Sequence, residues 1–184
     1  MIGASALLPF LPMLPVQILV NNLLYDVSQT ALTTDDVDAE FLAQPRRWDI
    51  SGIGRYMVCI GPLSSLFDYV TFGVMAWVFD GLNDHALFQT GWFVESLLSQ
   101  TLIVHVIRTG RIPFVESRPS RTLLAMTVII CGVGVWLPFS PLAPALGLTR
   151  LPSTYWWALA AILVSYLSLT QLVKMWVVRR FNLT

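Results

Sequence analysis

Apolar and polar positions in this chain change over lengths of whole membrane spans rather than single turns. Apolar runs at about 14–30, 56–79, 87–107, 123–137 and 155–178 are separated by polar or proline-rich joints, and each is near the roughly 20 residues that cross a bilayer as a helix. The pattern predicts an all-α integral membrane helical bundle with five complete transmembrane helices, residues 1–184 forming one membrane domain. Pro15 suits the first turn of the first helix, where its missing N–H costs nothing. Gly61 and Pro62 predict a kink in the second. Trp92 and Phe93, near one end of the third, read as interfacial aromatics, as do Trp156, Trp157 and Trp176 on the fifth. Gly132 and Gly134 offer the fourth a small surface for close packing. Ahead of the first span, Met1–Leu8 is apolar but too short to cross, and Pro9 and Pro12 follow. It reads as the N-terminal remnant of a sixth helix, the tail of a truncated span.

The joints are distinct in character. TTDDVDAEFLAQPRRWD is too charged for lipid and predicts a solvated loop, with one short helix capped by Thr34 or Asp35 and stopped by Pro45. DGLNDH is short and polar, whereas PFSPLAPALGLTRLPST is proline-rich and nearly uncharged.

Polar residues inside the apolar runs are the candidates for function. In QILVNNLLYDVSQT, Asn22, Tyr25, Asp26 and Gln29 share one helical face, and Asn22 and Asp26 stack four apart. With Leu14 at one boundary and ~1.5 Å per residue, Asp26 lies roughly 18 Å into a hydrocarbon layer ~30 Å thick. A carboxylate there costs several kcal/mol, so it faces a pathway, a partner or a bound cation. The other reading is a buried polar contact between helices. Asp68, mid-span beside Ser64, Ser65 and Thr71, reads as a structural carboxylate fixed by hydrogen bonds. Glu95 shares a face with Ser99, and Ser96 with Gln100, so this stripe points at other helices. Glu95 is a secondary cation candidate and Gln100 a structural polar residue. His105, near Arg108, reads as an interfacial histidine contacting a carbonyl or water. Ser165, Ser168 and Gln171 read as packing.

Composition supports the membrane reading: 55% of residues are hydrophobic, 12% charged, and mean hydropathy is +0.67. Charge totals balance, with 11 basic and 11 acidic residues, so nothing indicates a nucleic-acid partner. Their placement is uneven. Arg46, Arg47, Arg55, Arg108, Arg111, Arg118, Arg121, Lys174, Arg179 and Arg180 fall on one side of the predicted membrane, and Arg150 alone on the other. The positive-inside rule makes the first side cytoplasmic, which places the C-terminus there. Cys59 and Cys131, in separate apolar runs, read as packing. No GxxxxGK[ST] loop, GxSxG elbow, HExxH or CxxC occurs, which leaves these residues without soluble catalytic apparatus.

LPFLPMLPVQILVNNLLYDVSQ, DDVDAEFLAQPRRWD, GPLSSLFDYVTF, LFQTGWFVESLLSQTLIVHVIRT and LPFSPLAPALGL together resemble the C-terminal membrane region, helices six to ten, of magnesium-transporting P-type ATPases. The resemblance covers nearly the whole chain and makes Met1–Leu8 the end of helix five. It implies that Asn22 and Asp26 match the Asn-x-x-x-Asp cation-coordinating arrangement of the sixth helix, with Tyr25 beside the Asp, and that Glu95 lies on helix eight, which also lends side chains to the site. It implies Mg2+ as the transported ion, with ATP used only through domains outside these residues. A Mg2+ site built from one or two carboxylates, an amide oxygen and retained water is chemically reasonable. The same ligands suit calcium or manganese, so the choice of magnesium belongs to the resemblance. Implied partners are the lipid bilayer and the remaining helices and cytoplasmic domains of the pump, in a bacterial inner membrane. Against this stand a non-enzymatic membrane subunit, a degenerate pump fragment and a passive cation channel.

Overall fold

The structure is a computed structural model that describes residues 8–35, 50–109, 112–113 and 116–181. The expected helix remnant before Leu8 and the expected short helix in the acidic loop lie outside the described residues. Five long helices make up the described chain: α1 Pro15–Thr30, α2 Ile50–Gly73, α3 His85–Ile107, α4 Arg121–Trp136 and α5 Ser153–Phe181. Among the described residues no strand forms, and the all-α expectation holds.

The helix starts follow local chemistry. Pro15 opens α1, and the Gln17 side chain accepts a hydrogen bond from the Leu14 N–H at 3.1 Å, satisfying a donor that the first turn leaves unpaired. Asp84 caps α3 by accepting from the Leu87 N–H at 3.0 Å, and Ser120 caps α4 by accepting from the Leu123 N–H at 3.1 Å. The second helix runs through Pro62 and passes into a π-helical turn, Val74–Val78. That turn sets Met75, fully buried, against Gly91 of α3.

α3 is the axis of the bundle and packs on the other four helices. It is buried around most of its circumference, as expected of a helix apolar on every side. Trp92 and Phe93, expected at an interface, are 3% and 0% exposed. A central helix has no lipid-facing side on which to anchor an aromatic ring. Close approach of α4 rests on Gly134, where a Cβ would come within 2.9 Å of Leu97 Cδ2; Gly132 faces open space. Lipid chains are as apolar as the helices, so such shape fit, not expulsion of water, drives association here.

The outside of the bundle is apolar: Trp77 is 84% exposed and Trp157 81%. Polar Gln17, Asn21, Glu95, His105 and Lys174 are inside. This inversion of a water-soluble protein suits a hydrocarbon surround. Met57–Val78, Arg121–Phe139 and Ser153–Val178 are long and apolar enough to cross a membrane by length and composition. α1, with 16 residues, is shorter, and the enclosed α3 carries Gln89, Glu95, Gln100 and His105. The chain is therefore a multi-pass membrane protein with one enclosed, polar-bearing central helix.

Candidate functional site

Two helices carry the expected site residues, and they present them differently. On α1 the packing face is Gln17, Asn21 and Ser28, all buried. Asn22 and Asp26 lie on the opposite side and are exposed, with Tyr25 half-buried between the faces. The Asn22 and Asp26 side chains thus point away from the other four helices. Neighbouring asparagines have separate tasks. Asn21 Nδ2 donates to the Phe93 carbonyl at 3.4 Å across the α1–α3 interface, while Asn22 lies outside it.

Glu95, by contrast, is enclosed at 1% exposure, and its Oε2 has no hydrogen-bond partner. Ser99, one turn on, donates to the Ser96 carbonyl at 3.1 Å. Asp68 of α2 is close enough to act on Glu95 electrostatically. Asp68 is half-buried, and Trp92 Nε1 donates to its Oδ1 at 3.5 Å. Its partner thus comes from α3. Ser64 and Ser65, expected to fix it locally, are exposed. Gln100 donates to Ser96 Oγ at 2.7 Å within α3, in keeping with a structural role.

The structure therefore brings Glu95 and Asp68 toward one another and leaves Asn22 and Asp26 on an outer face. Among the described residues no group of three or more His, Cys, Asp or Glu side chains is positioned to hold a metal ion. Oxygen atoms from further groups would be needed to complete a six-coordinate Mg2+ shell.

Several polar residues missed by periodicity tie the bundle together. Gln17 Nε2 donates to the carbonyls of Leu146 and Gly147 at 3.0 and 3.2 Å, joining α1 to the loop before α5. Gly147 has φ +65°, a left-handed conformation that favours glycine, and a Cβ there would also push on the end of the Leu14 side chain. Tyr155 Oη donates to the Gly91 carbonyl at 2.6 Å. At the other end, Lys174 Nζ donates to the carbonyls of Val106 and Thr109 at 2.8 and 3.1 Å, satisfying acceptors at the C-terminus of α3. His105, expected at an interface, is 2% exposed and pairs through Nε2 with Thr127 Oγ1 of α4 at 2.9 Å. Ser165 and Ser168, expected in packing, are exposed, and α5 buries Thr170 and Lys174 instead. Cys59 and Cys131 are free thiols.

Comparison with known proteins places these observations. A family described as "Cation transporting ATPase, C-terminus" matches residues 10–176. A protein named "Magnesium-transporting ATPase, P-type 1" from Salmonella typhimurium strain LT2 is 56% identical over 181 residues, 97% of this chain and 20% of the relative. A protein of the same name from Escherichia coli K12 is 55% identical over the same extent, and another from Salmonella typhimurium LT2 is 49% identical. The chain spans 20% of the length of these curated relatives.

Proposed function

Because the chain belongs to the family of cation-transporting ATPase C-terminal regions, we propose that it forms the membrane, ion-pathway portion of a magnesium-importing P-type ATPase and contributes part of the cation site. The observation that carries this reading is the exposed Asn22 and Asp26 pair at membrane depth. A carboxylate that far from water requires a counter-charge. α1 turns it away from every other described helix, toward the side where helices of a larger assembly would complete the site.

In this reading Asp26 is the principal ligand and supplies charge, Asn22 supplies an amide oxygen, and Tyr25 flanks them. Glu95 is a secondary ligand from α3, poised by its unpartnered Oε2. The transported ion is Mg2+, a small hard cation that sheds water reluctantly and accepts a site with few carboxylates and retained waters. ATP hydrolysis by cytoplasmic domains outside these residues would alternate the site's access between the two sides. The lipid bilayer and the remaining helices and domains of the pump are its partners. The setting is a bacterial inner membrane with the C-terminus cytoplasmic, following the ten basic residues on that side.

The test is a chimera in which this chain replaces the matching 181 residues of the Salmonella relative that is 56% identical. Expressed in cells lacking other magnesium uptake, it is expected to restore growth at limiting magnesium. A chimera present in the membrane that moves no magnesium would refute the reading. Reporter fusions after Thr184 and within DGLNDH are expected in opposite compartments, and the same compartment for both would overturn the orientation.

A further inference from the structure

Where α1 ends, the chain is fastened to two other helices by a buried ion pair. Asp35 follows the short 3-10 turn Ala31–Thr34 that extends α1. Its Oδ2 accepts from Arg108 Nη1 at 2.6 Å, with the two side chains 8% and 2% exposed respectively. Its Oδ1 accepts from the Ser120 N–H at 2.7 Å, at the residue that caps α4. The second arm of the Arg108 fork, Nη2, donates to the Ser117 carbonyl and hydroxyl at 3.0 and 3.3 Å. One carboxylate and one guanidinium thus join the end of α1, the end of α3 and the start of α4. A planar guanidinium suits this task because its two arms bond in fixed directions, which an ammonium cannot do.

The placement matters for what α1 carries. Asp26 lies nine residues before Asp35, on the continuous helical stretch Pro15–Thr34 that Asp35 directly follows. Neither Asn22 nor Asp26 is on the packing face of α1, so their placement follows from how α1 itself is held. Gln17 holds one end, Asn21 ties the middle to α3, and Asp35 holds the other end. We propose that Asp35 and Arg108 form a positioning latch that sets α1, and with it the outward face carrying Asn22 and Asp26, against the ends of α3 and α4. Neither residue touches the ion; both act through the helix that presents the ligands. The proposal rests on the cation-site reading above for its consequence, but the latch itself is a structural claim with its own measurement.

The experiment uses the full-length chimera with spin labels at the exposed positions Thr33 and Thr122, at the end of α1 and the start of α4. Unaltered Arg108 is expected to give one narrow distance distribution. Arg108→Ala, which leaves the buried carboxylate without its cation, is expected to broaden it and shift it outward by about 5 Å or more; Arg108→Lys, which keeps the charge but loses the fork, falls between. Magnesium uptake is measured on the same proteins. Arg108→Ala is expected to raise the half-saturating Mg2+ concentration about tenfold while the maximal rate per folded pump stays within about twofold, and Arg108→Lys to recover most of the affinity. A purely structural role would lower the amount of pump and leave half-saturation unchanged. An unchanged distance distribution in Arg108→Ala overturns the latch; a broadened one with unchanged half-saturation overturns its positioning of the cation ligands. If the unaltered chimera moves no magnesium, the functional reading and the ligand-positioning claim fall together, and the distance measurement still decides whether the latch exists.

Discussion

α1 and α3 both carry several polar groups, yet they deploy them in opposite ways. On α3, Gln89, Thr90, Gln100, Thr101 and His105 each have a partner within the chain, such as the 2.7 Å bond from Gln89 Nε2 to the Leu11 carbonyl. Gln89, Thr90 and His105 reach other parts of the chain, the latter two through Thr149 and Thr127, whereas Gln100 and Thr101 bond within α3 itself. α1 divides its polar residues between two faces. Gln17 and Asn21 bond inward, whereas Asn22 and Asp26 look outward. The difference teaches that helices of one bundle spend their polar residues differently, inward as ties or outward on an exposed face. Glu95 is the exception on α3, enclosed and yet with one orphan oxygen.

The contrast breaks most sharply at Asp26. In the chimera, Asp26→Asn is expected to reduce magnesium uptake at least about 100-fold while membrane expression stays near normal, because it removes the charge and preserves the volume on an exposed face. Near-normal ion affinity in this variant would shift the principal ligand to Glu95. The inward face should respond in the opposite sense. Gln17→Ala removes the bond to the Leu14 N–H and both bonds to the loop before α5; leaving these buried groups unpaired is expected to cost about 1–3 kcal/mol of stability. Thermal unfolding in detergent checks this, and a variant as stable as the parent would show that the loop is held by other means. The smallest effect is expected at Asp68. Asp68→Asn keeps an oxygen for Trp92 Nε1, so stability should change by about 1 kcal/mol or less, with half-saturating Mg2+ unaltered. A clear loss of affinity there would make the Asp68 and Glu95 pair part of the ion path and erase the distinction between structural and functional carboxylates.

Much of this protein is legible in its sequence. Runs of apolar residues near the thickness of a bilayer specify helices, because an unpaired backbone group in hydrocarbon is too costly for anything else. Prolines and capping residues mark where those helices begin: Pro15, Asp84 and Ser120 each stand at a start. Helical periodicity also placed Asn22 and Asp26 on a shared face, and both are exposed. Tertiary structure alone decided which face of each helix meets another helix. In a water-soluble protein the hydrophobic pattern answers that question; in a membrane, lipid and protein interior are equally apolar, and hydropathy is nearly silent about inside and outside. Hence Trp92 and Phe93 read as interfacial although α3 lies at the centre, and Asn21 escaped notice beside Asn22. The latch was hidden for a second reason. Asp35 and Arg108 are 73 residues apart, and no local spacing relates them; only the packing of α1, α3 and α4 brings the two charges together.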